Sequence, residues 1–576
     1  MSTRQTRFTP LFRKSLQACI VWVALLSQST SGHAWEPNAQ DLDAAINRGD
    51  FTTYFGNLSA WLGQKLPAET NGISEAALKP LFQDPVFANA LSQRQLIAKH
   101  GAANLGIYAR ADQGNKAFLA WLLQNTEAMD LYLEGATPLG IGQREQNQWA
   151  LSTASLEIWN KIRNADPEAK AGMYQRLAIA TALAPPGSGN RGAGMAKTPG
   201  DPVDRYKHFK SASVKKAMFP SFDRLAVWEY ERVVSSCASD SDLGWAREML
   251  NTWRPDLRIN EQVVRSTSEV CYRKPLIPFT DYRSVLAAGG KCGPRSSWAV
   301  MICQAFGIPS VGVGQPAHAC VAWRTADGTW KVGYGGGWEV SKLEGLSGME
   351  FVEAVAARSR AEEFSQVEHL RWLAAALTSK EQVDAVVSIA RKLRQSTPAL
   401  KAAAPEMQAE AEANGSVKAA PKTPLTAAPA STPEVPFPVV PGVIHVEAET
   451  FINSYAEPAH PDEQKGRVFV YDCFTGGKQV NLQRNMTISW VDYAIDVPAA
   501  GVYELTVRTA TPNFEQVLDI RSVETKLATI NVPNTTGLWG TTPPVDIKLE
   551  KGEQTLRISA PFQRGIAIRW FELKVK

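Results

Sequence analysis

Gly289-Gly290-Lys291-Cys292-Gly293-Pro294-Arg295-Ser296-Ser297-Trp298 opens a helix, and that helix decides how the middle of this 576-residue chain is read. Pro294 suits the first helical turn, where a missing N–H costs nothing. Gly307, in Phe306-Gly307-Ile308-Pro309, suits the left-handed position just past the helix end. Between them Ala299, Ile302, Cys303 and Phe306 recur at i, i+3, i+4 and i+7, an apolar stripe that buries the helix. Cys292 therefore falls where unpaired backbone N–H groups and the positive helix end favour a thiolate over a thiol. A cysteine so placed becomes a nucleophile at neutral pH.

A partner follows 26 residues later. Ser310-Val311-Gly312-Val313 reads as a short strand and His318-Ala319-Cys320-Val321-Ala322-Trp323 as a second. Ala326-Asp327-Gly328 supplies turn chemistry, and Thr329-Trp330-Lys331-Val332 returns as a third strand. His318 thus begins a strand and is the candidate base for Cys292. Cys320 shares the strand face of His318 and either lines the site or is a small buried hydrophobe.

This order of helix, strand and hairpin resembles the transglutaminase-like superfamily, whose members include transglutaminases, peptide N-glycanases and papain-like thiol hydrolases. The resembling residues are Gly290-Lys291-Cys292-Gly293, Ala305-Phe306-Gly307-Ile308-Pro309, His318-Ala319 and Gly328-Thr329-Trp330. The resemblance implies an α+β transglutaminase-like (papain-like) core over residues 205–355, with Cys292 and His318 catalytic. One departure stands out: the family's third residue, usually Asp, is expected just after the Trp330 strand, where this chain has Val332-Gly333-Tyr334. With Asp327 at the hairpin tip, His318 pairs opposite Gly335, Gly336 and Gly337, and no carboxylate lies there. Asp327 itself is nine strand residues from His318, about 30 Å away. Either a backbone carbonyl or a carboxylate from a distant segment orients His318, or the site is weakened or dead.

The length implies several domains. Residues 1–34 read as an export signal, with Arg4, Arg7, Arg13 and Lys14 ahead of the apolar run 19–26 and Gly32-His33-Ala34 as the cleavage site. No later segment is apolar for long enough to span a membrane. Removing the signal takes the net charge from +4 to about zero, which argues against nucleic-acid or anionic-membrane partners. Export implies an extracytoplasmic, periplasmic or secreted, location. Six cysteines remain, and Cys237 with Cys271 is the expected disulfide; Cys292 and Cys303, about 16 Å apart on one helix, cannot pair.

Residues 35–200 read as helical, with 189–200 a flexible connection. Another helical segment covers 356–395, and 396–441, rich in Ala, Pro, Thr and Glu, reads as a linker before an independent module. From residue 442 the pattern changes to alternating strands such as Trp490–Val497 and Tyr503–Thr509, the signature of a β-sandwich. The whole is a multidomain protein: an α-helical N-terminal region, the α+β core and a C-terminal β-sandwich (jelly-roll) module over 442–576.

The module resembles family 6-like carbohydrate-binding modules. The matching residues are Val446-Glu447-Ala448-Glu449, Gly476-Gly477, Ser489-Trp490-Val491-Asp492-Tyr493, Val497 to Leu505, Gly552 to Ile558 and Arg569-Trp570-Phe571-Glu572-Leu573. The resemblance implies sugar binding by aromatic stacking, with Trp539 in the aromatic loop and Tyr471 or Phe474 ahead of the Gly-Gly pair. Ala567 stands where the family often has a sugar-binding Asn, and Trp490 and Trp570 read as core. Glu447 and Glu449 match a structural calcium site in relatives; two carboxylates one residue apart on a strand face the same side and suit a hard cation.

Three functions follow as expectations. One is an exported thiol enzyme, needing no catalytic cofactor, that cleaves or transfers amide bonds of a protein, peptide, glycopeptide or cell-wall substrate. Its module would hold it to a polysaccharide or glycoprotein surface. The others are a non-catalytic glycan-binding surface protein with a degenerate thiol domain, and a purely structural surface protein.

Overall fold

The computed structural model describes residues 35–140, 149–189, 198–257, 260–277, 281–395, 442–456, 468–482, 488–514, 516–561 and 565–576. Residues 1–34, read above as an export signal, residues 396–441, read as a linker, and most of 189–200, read as a flexible connection, lie outside the described residues. Pro37–Lys576 forms one compact unit.

Its first part is a stack of helices whose starts are written in the sequence. Asn38, Ser74, Asp84, Asp112, Asn125, Ser152 and Asp201 each cap a helix by accepting from a backbone N–H of the first turn. The helix Ala361–Ala376 returns to pack on Thr52–Gln64 and Pro85–His100, and Arg94 donates to the Ala375 carbonyl. Residues 361–395 therefore close the N-terminal stack.

In the middle of the chain, the helix Cys292–Ala305 lies on a five-stranded antiparallel sheet. The strands are β1 (Ser310–Gln315), β2 (His318–Arg324), β3 (Trp330–Gly333), β4 (Lys342–Leu343) and β5 (Leu346–Ser347), in the order β3-β2-β1-β4-β5. The helix ends as Gly307 foretold. Gly307 takes φ 77°, its N–H bonds the Gln304 carbonyl and the Ile308 N–H the Cys303 carbonyl, the two bonds of a Schellman motif. The buried surface exceeds the apolar stripe, since Trp298, Val300, Met301, Gln304 and Ala305 are buried as well. The reason is a second cover: Asp240–Trp253 and the 3-10 segment Asn260–Glu269 pack on the face turned away from the sheet.

The C-terminal module is a two-sheet β-sandwich. One sheet runs Lys526–Val532, Gln516–Arg521, Gly552–Ala560, Ser489–Val497, Asn453–Ala456; the other is built on Gly501–Ala510 and Ile566–Val575. Strand alternation fills the space between them, with Val491, Tyr493 and Ile495 facing Leu505, Val507, Phe571 and Leu573. Along the last strand the inward parity switches from Ile566 and Ile568 to Phe571 and Leu573. The register supplies the cause: Arg508 pairs with Trp570 but Thr509 with Ile568, so Arg569 is a bulged extra residue. Alternation also puts Trp490 outside the core, where it is half-buried and stacks on Tyr455 at 5.9 Å. Trp570 is half-buried against His445. Neither belongs to the core expected of them.

No disulfide joins Cys237 to Cys271, nor any other two of the six described cysteines. Cys237 instead turns its sulfur to the Gly189 carbonyl, 3.4 Å away. Among the described residues no helix is long and apolar enough to cross a membrane.

Candidate functional site

Cys292 is the first residue of its helix, and no side chain caps that end: Lys291 holds the cap position with extended backbone and no side-chain hydrogen bond. Pro294 has no N–H and the Arg295 N–H bonds the Lys291 carbonyl at 3.2 Å, which leaves Cys292 and Gly293 with the first-turn N–H groups that lack an intrahelical acceptor. His318 is the first residue of β2, paired with Gln315 across a two-residue turn in which Ala317 takes φ 55°. Cys292, His318, Cys320, Arg295, Thr267 and Tyr334 share one small cleft of about 230 Å³, open mouth included. Burial pushes the Cys320 thiol up to about 12, with the neighbouring Cys292 adding to it. Cys320 is thus a protonated wall of the cleft, and Cys292, only partly buried, is the accessible sulfur.

The orienting group is a backbone atom. His318 Nε2 lies 2.6 Å from the Tyr334 carbonyl oxygen. A carbonyl only accepts, so Nε2 carries the proton and Nδ1 is left as the basic nitrogen. Tyr334 reaches this position with φ 63°, a left-handed conformation unusual for a tyrosine, and its hydroxyl donates to the Val264 carbonyl at 2.9 Å. The β2–β3 register, Val321 opposite Gly333, would continue to His318 opposite Gly336. The ladder ends at Gly333 instead, and the bend at Tyr334 aims its carbonyl back at the histidine.

The glycine run closes the arrangement. A Cβ at Gly335 would meet Gln315 Oε1 at 2.5 Å, His318 Cδ2 at 3.0 Å and Cys320 Sγ at 3.1 Å. Gln315 clamps the run: Oε1 accepts from the Gly336 N–H at 2.8 Å and Nε2 donates to the Gly336 carbonyl at 2.8 Å. Asp327 stays at the β2–β3 turn, bonded to Thr325 and to the Thr329 N–H.

The module's expected ligand residues fall at the edge of a buried contact. Trp539, half-buried, follows Thr536 and Gly537. The Thr536 carbonyl accepts from Trp245 Nε1 at 3.0 Å, and a Cβ at Gly537 would lie 2.3 Å from Met249. Next to this loop the Trp253 indole, fully buried, donates to the Gly565 carbonyl at 3.3 Å. Gln479 and Asn481, also buried, donate to the Thr252 and Trp253 carbonyls at 3.0 and 2.8 Å. Ala567 is buried and pairs with Asn481 on the adjoining strand. Tyr471 is half-buried and stacks on Phe469; Phe474 is exposed. One face of the module is therefore occupied by the helix Asp240–Trp253. Trp253, Gln479 and Asn481 escaped sequence reading because nothing in a lone Trp or an Asn two residues past a Gln announces a partner 228 residues away.

Glu447 ends a strand and Glu449 lies in the 3-10 turn that follows it. Glu447 is bonded to His445 Nε2 at 3.2 Å and to Arg569 Nη1 at 3.3 Å, donors that a cation would have to displace. Glu449 leaves a strand for a 3-10 turn and buries one oxygen without a hydrogen-bond partner. Among the described residues no cluster of three or more His, Cys, Asp or Glu is placed to hold a metal.

No protein-family model and no curated protein matches the chain. Solved structures similar to the C-terminal module include the C-terminal family 6 carbohydrate-binding module of a laminarinase from Zobellia galactanivorans. It is 23% identical over 23% of this chain and 98% of that one, with a TM-score of 0.20. A module from Clostridium stercorarium in complex with cellobiose is 18% identical over 23% of this chain and 94% of its own, TM-score 0.19. One from the Cellvibrio mixtus lichenase 5A in complex with cellotriose is 20% identical over 23% and 97%, TM-score 0.19. These likenesses concern the module alone.

Proposed function

We propose that this chain is a cysteine-dependent amidase or acyltransferase acting outside the cytoplasm, with a C-terminal module that binds glycans. The observation that carries the reading is the 2.6 Å bond from His318 Nε2 to the Tyr334 carbonyl, in the cleft that Cys292 also lines. His318 Nδ1 takes the thiol proton, and the Cys292 thiolate attacks an amide carbonyl carbon. The Cys292 backbone N–H supports the developing oxyanion at the uncapped helix start. The C–N bond then breaks, the amine leaves with the proton from His318, and a thioester remains. Water resolves it by hydrolysis, or a second amine resolves it by transfer. A neutral carbonyl steadies the resulting imidazolium less than a carboxylate would, so a modest rate is expected.

For the glycan, the sheet face away from the docked loops carries an exposed Tyr455 and a half-buried Trp490. The two rings stack, and Arg557 lies 3.6 Å over Trp490 while bonded twice to Asp492. A stacked aromatic pair beside fixed polar groups suits a sugar ring. The experiment is brief iodoacetamide treatment at pH 6.5 followed by peptide mass spectrometry. Cys292 should be alkylated first, and preferential labelling of any other thiol refutes the assignment. The competing reading, a glycan-binding protein with a decayed thiol site, draws on the missing carboxylate. It predicts a Cys292 that reacts no faster than an ordinary free thiol.

A further inference from the structure

We infer that the C-terminal module is a positioning element of the thiol site: Gln479 and Asn481 hold the turn that supports the segment seating His318. The inference rests on the reading of Cys292 and His318 as nucleophile and base.

The last carbonyls of a helix have no partner within it. At the end of Asp240–Trp253 the carbonyls of Thr252 and Trp253 take theirs from the module, through Gln479 Nε2 at 3.0 Å and Asn481 Nδ2 at 2.8 Å. Gln479 Nε2 also bonds Asn481 Oδ1 at 2.8 Å, so the two amides act as one clamp. The next residue, Arg254, spreads its guanidinium between Asp256, at 2.8 Å, and Glu269, at 2.5 Å. Burial alone would lower the Arg254 pKa, but those carboxylates outweigh it and hold the charge in place.

Glu269 ends the 3-10 segment Asn260–Glu269, ten residues long. Helices of this kind rarely persist beyond three or four residues, because their hydrogen bonds are poorly aligned. This one depends on outside supports, and they lead to the cleft. Ser266 Oγ accepts from Trp298 Nε1 at 3.0 Å, on the Cys292 helix. The Val264 carbonyl accepts from the Tyr334 hydroxyl at 2.9 Å, and Thr267 lines the cleft itself. The Tyr334 carbonyl then holds His318. Hydrogen bonds and the Arg254–Glu269 ion pair, joined through the backbone at 253–254 and along 264–269, thus connect the module's amides to the histidine.

The test uses the full chain and the pH dependence of Cys292 alkylation. Asn481→Asp removes the donor at the far end of the series, and Tyr334→Phe removes the hydroxyl at the near end. Both should move the midpoint upward by about one unit and slow alkylation at pH 6.5 about tenfold. A folded Asn481→Asp with the wild-type profile overturns the inference, even if its melting temperature falls, since a merely structural contact would behave that way. If Asn481→Asp does not fold, Gln479→Met decides. It removes the Nε2 bonds to the Thr252 carbonyl and to Asn481 Oδ1, and an unmoved profile there overturns the inference while an upward shift supports it. A wild type whose Cys292 is no faster than its other thiols refutes the thiol reading itself, a result distinct from either.

Discussion

The thiol cleft and the docked face of the module are both built where strands end, yet one stays open and the other is filled. In the cleft, the side chains that matter are half-buried, and a glycine at 335 keeps space beside His318. On the module, Gln479, Asn481 and Ala567 are fully covered, and a tryptophan from another part of the chain occupies the surface. A polar pair at a strand end is therefore not evidence of a ligand. What separates the two is whether the chain supplies its own occupant.

The sharpest break in the comparison is His318→Ala. It should slow Cys292 alkylation near neutral pH by about 10²–10⁴-fold while leaving the docked face intact. Stopped-flow or timed quenching with a small haloacetamide measures it. Gly335→Ala should give a smaller loss, about 10²-fold, because the new methyl meets the His318 ring and Gln315 and displaces both. On the filled side, Trp253→Ala should destabilise the protein by about 3–5 kcal/mol in denaturant unfolding, the cost of emptying a fully buried indole site. Trp539→Ala, at a half-buried position, should cost less than half as much; an equal cost would mean the loop, not the indole, holds the contact.

The pH arm needs its own baseline. Burial pushes the Glu134 carboxyl up to about 7, against a hydrogen bond from Ser365 and the neighbouring His369. A carboxyl raised in the folded state contributes most below its unfolded value of 4.5, and that contribution is lost as pH rises through about 7. Stability should therefore fall by up to about 3 kcal/mol between pH 5 and 8 from this group, and Glu134→Gln should flatten the curve. A Glu134→Gln curve as steep as the wild type would place the loss elsewhere. The smallest effect is expected at the turn before His318, where Ala317→Gly relieves the φ of 55° and should stabilise by up to about 1 kcal/mol.

Much of the thiol region was legible because its signals are local. Pro294, Gly307 and the stripe from Ala299 to Phe306 fix a helix within sixteen residues, and the strand alternation of the module is equally short-range. The strand register even excluded a carboxylate opposite His318 and left a backbone carbonyl as one of the alternatives. It could not choose Tyr334, because the bend there is set by the Val264 contact and the Gln315 clamp, neither visible along the chain. The docked face was illegible for the same reason. A proline-rich stretch before residue 442 suggests an independent module, and nothing in it reports that Trp253 awaits on the other side. Trp490 was misplaced as core because a tryptophan beside Val491 can face either way until the neighbouring strands are known.

The group that orients His318 has no codon of its own. Every residue type at position 334 carries a carbonyl, so no base change deletes the acceptor; only a change in the path of the backbone removes it. Genetic damage to this site should therefore surface at Gln315, Gly335 and the residues that shape the bend, and a search for a lost acidic residue would pass over all of them.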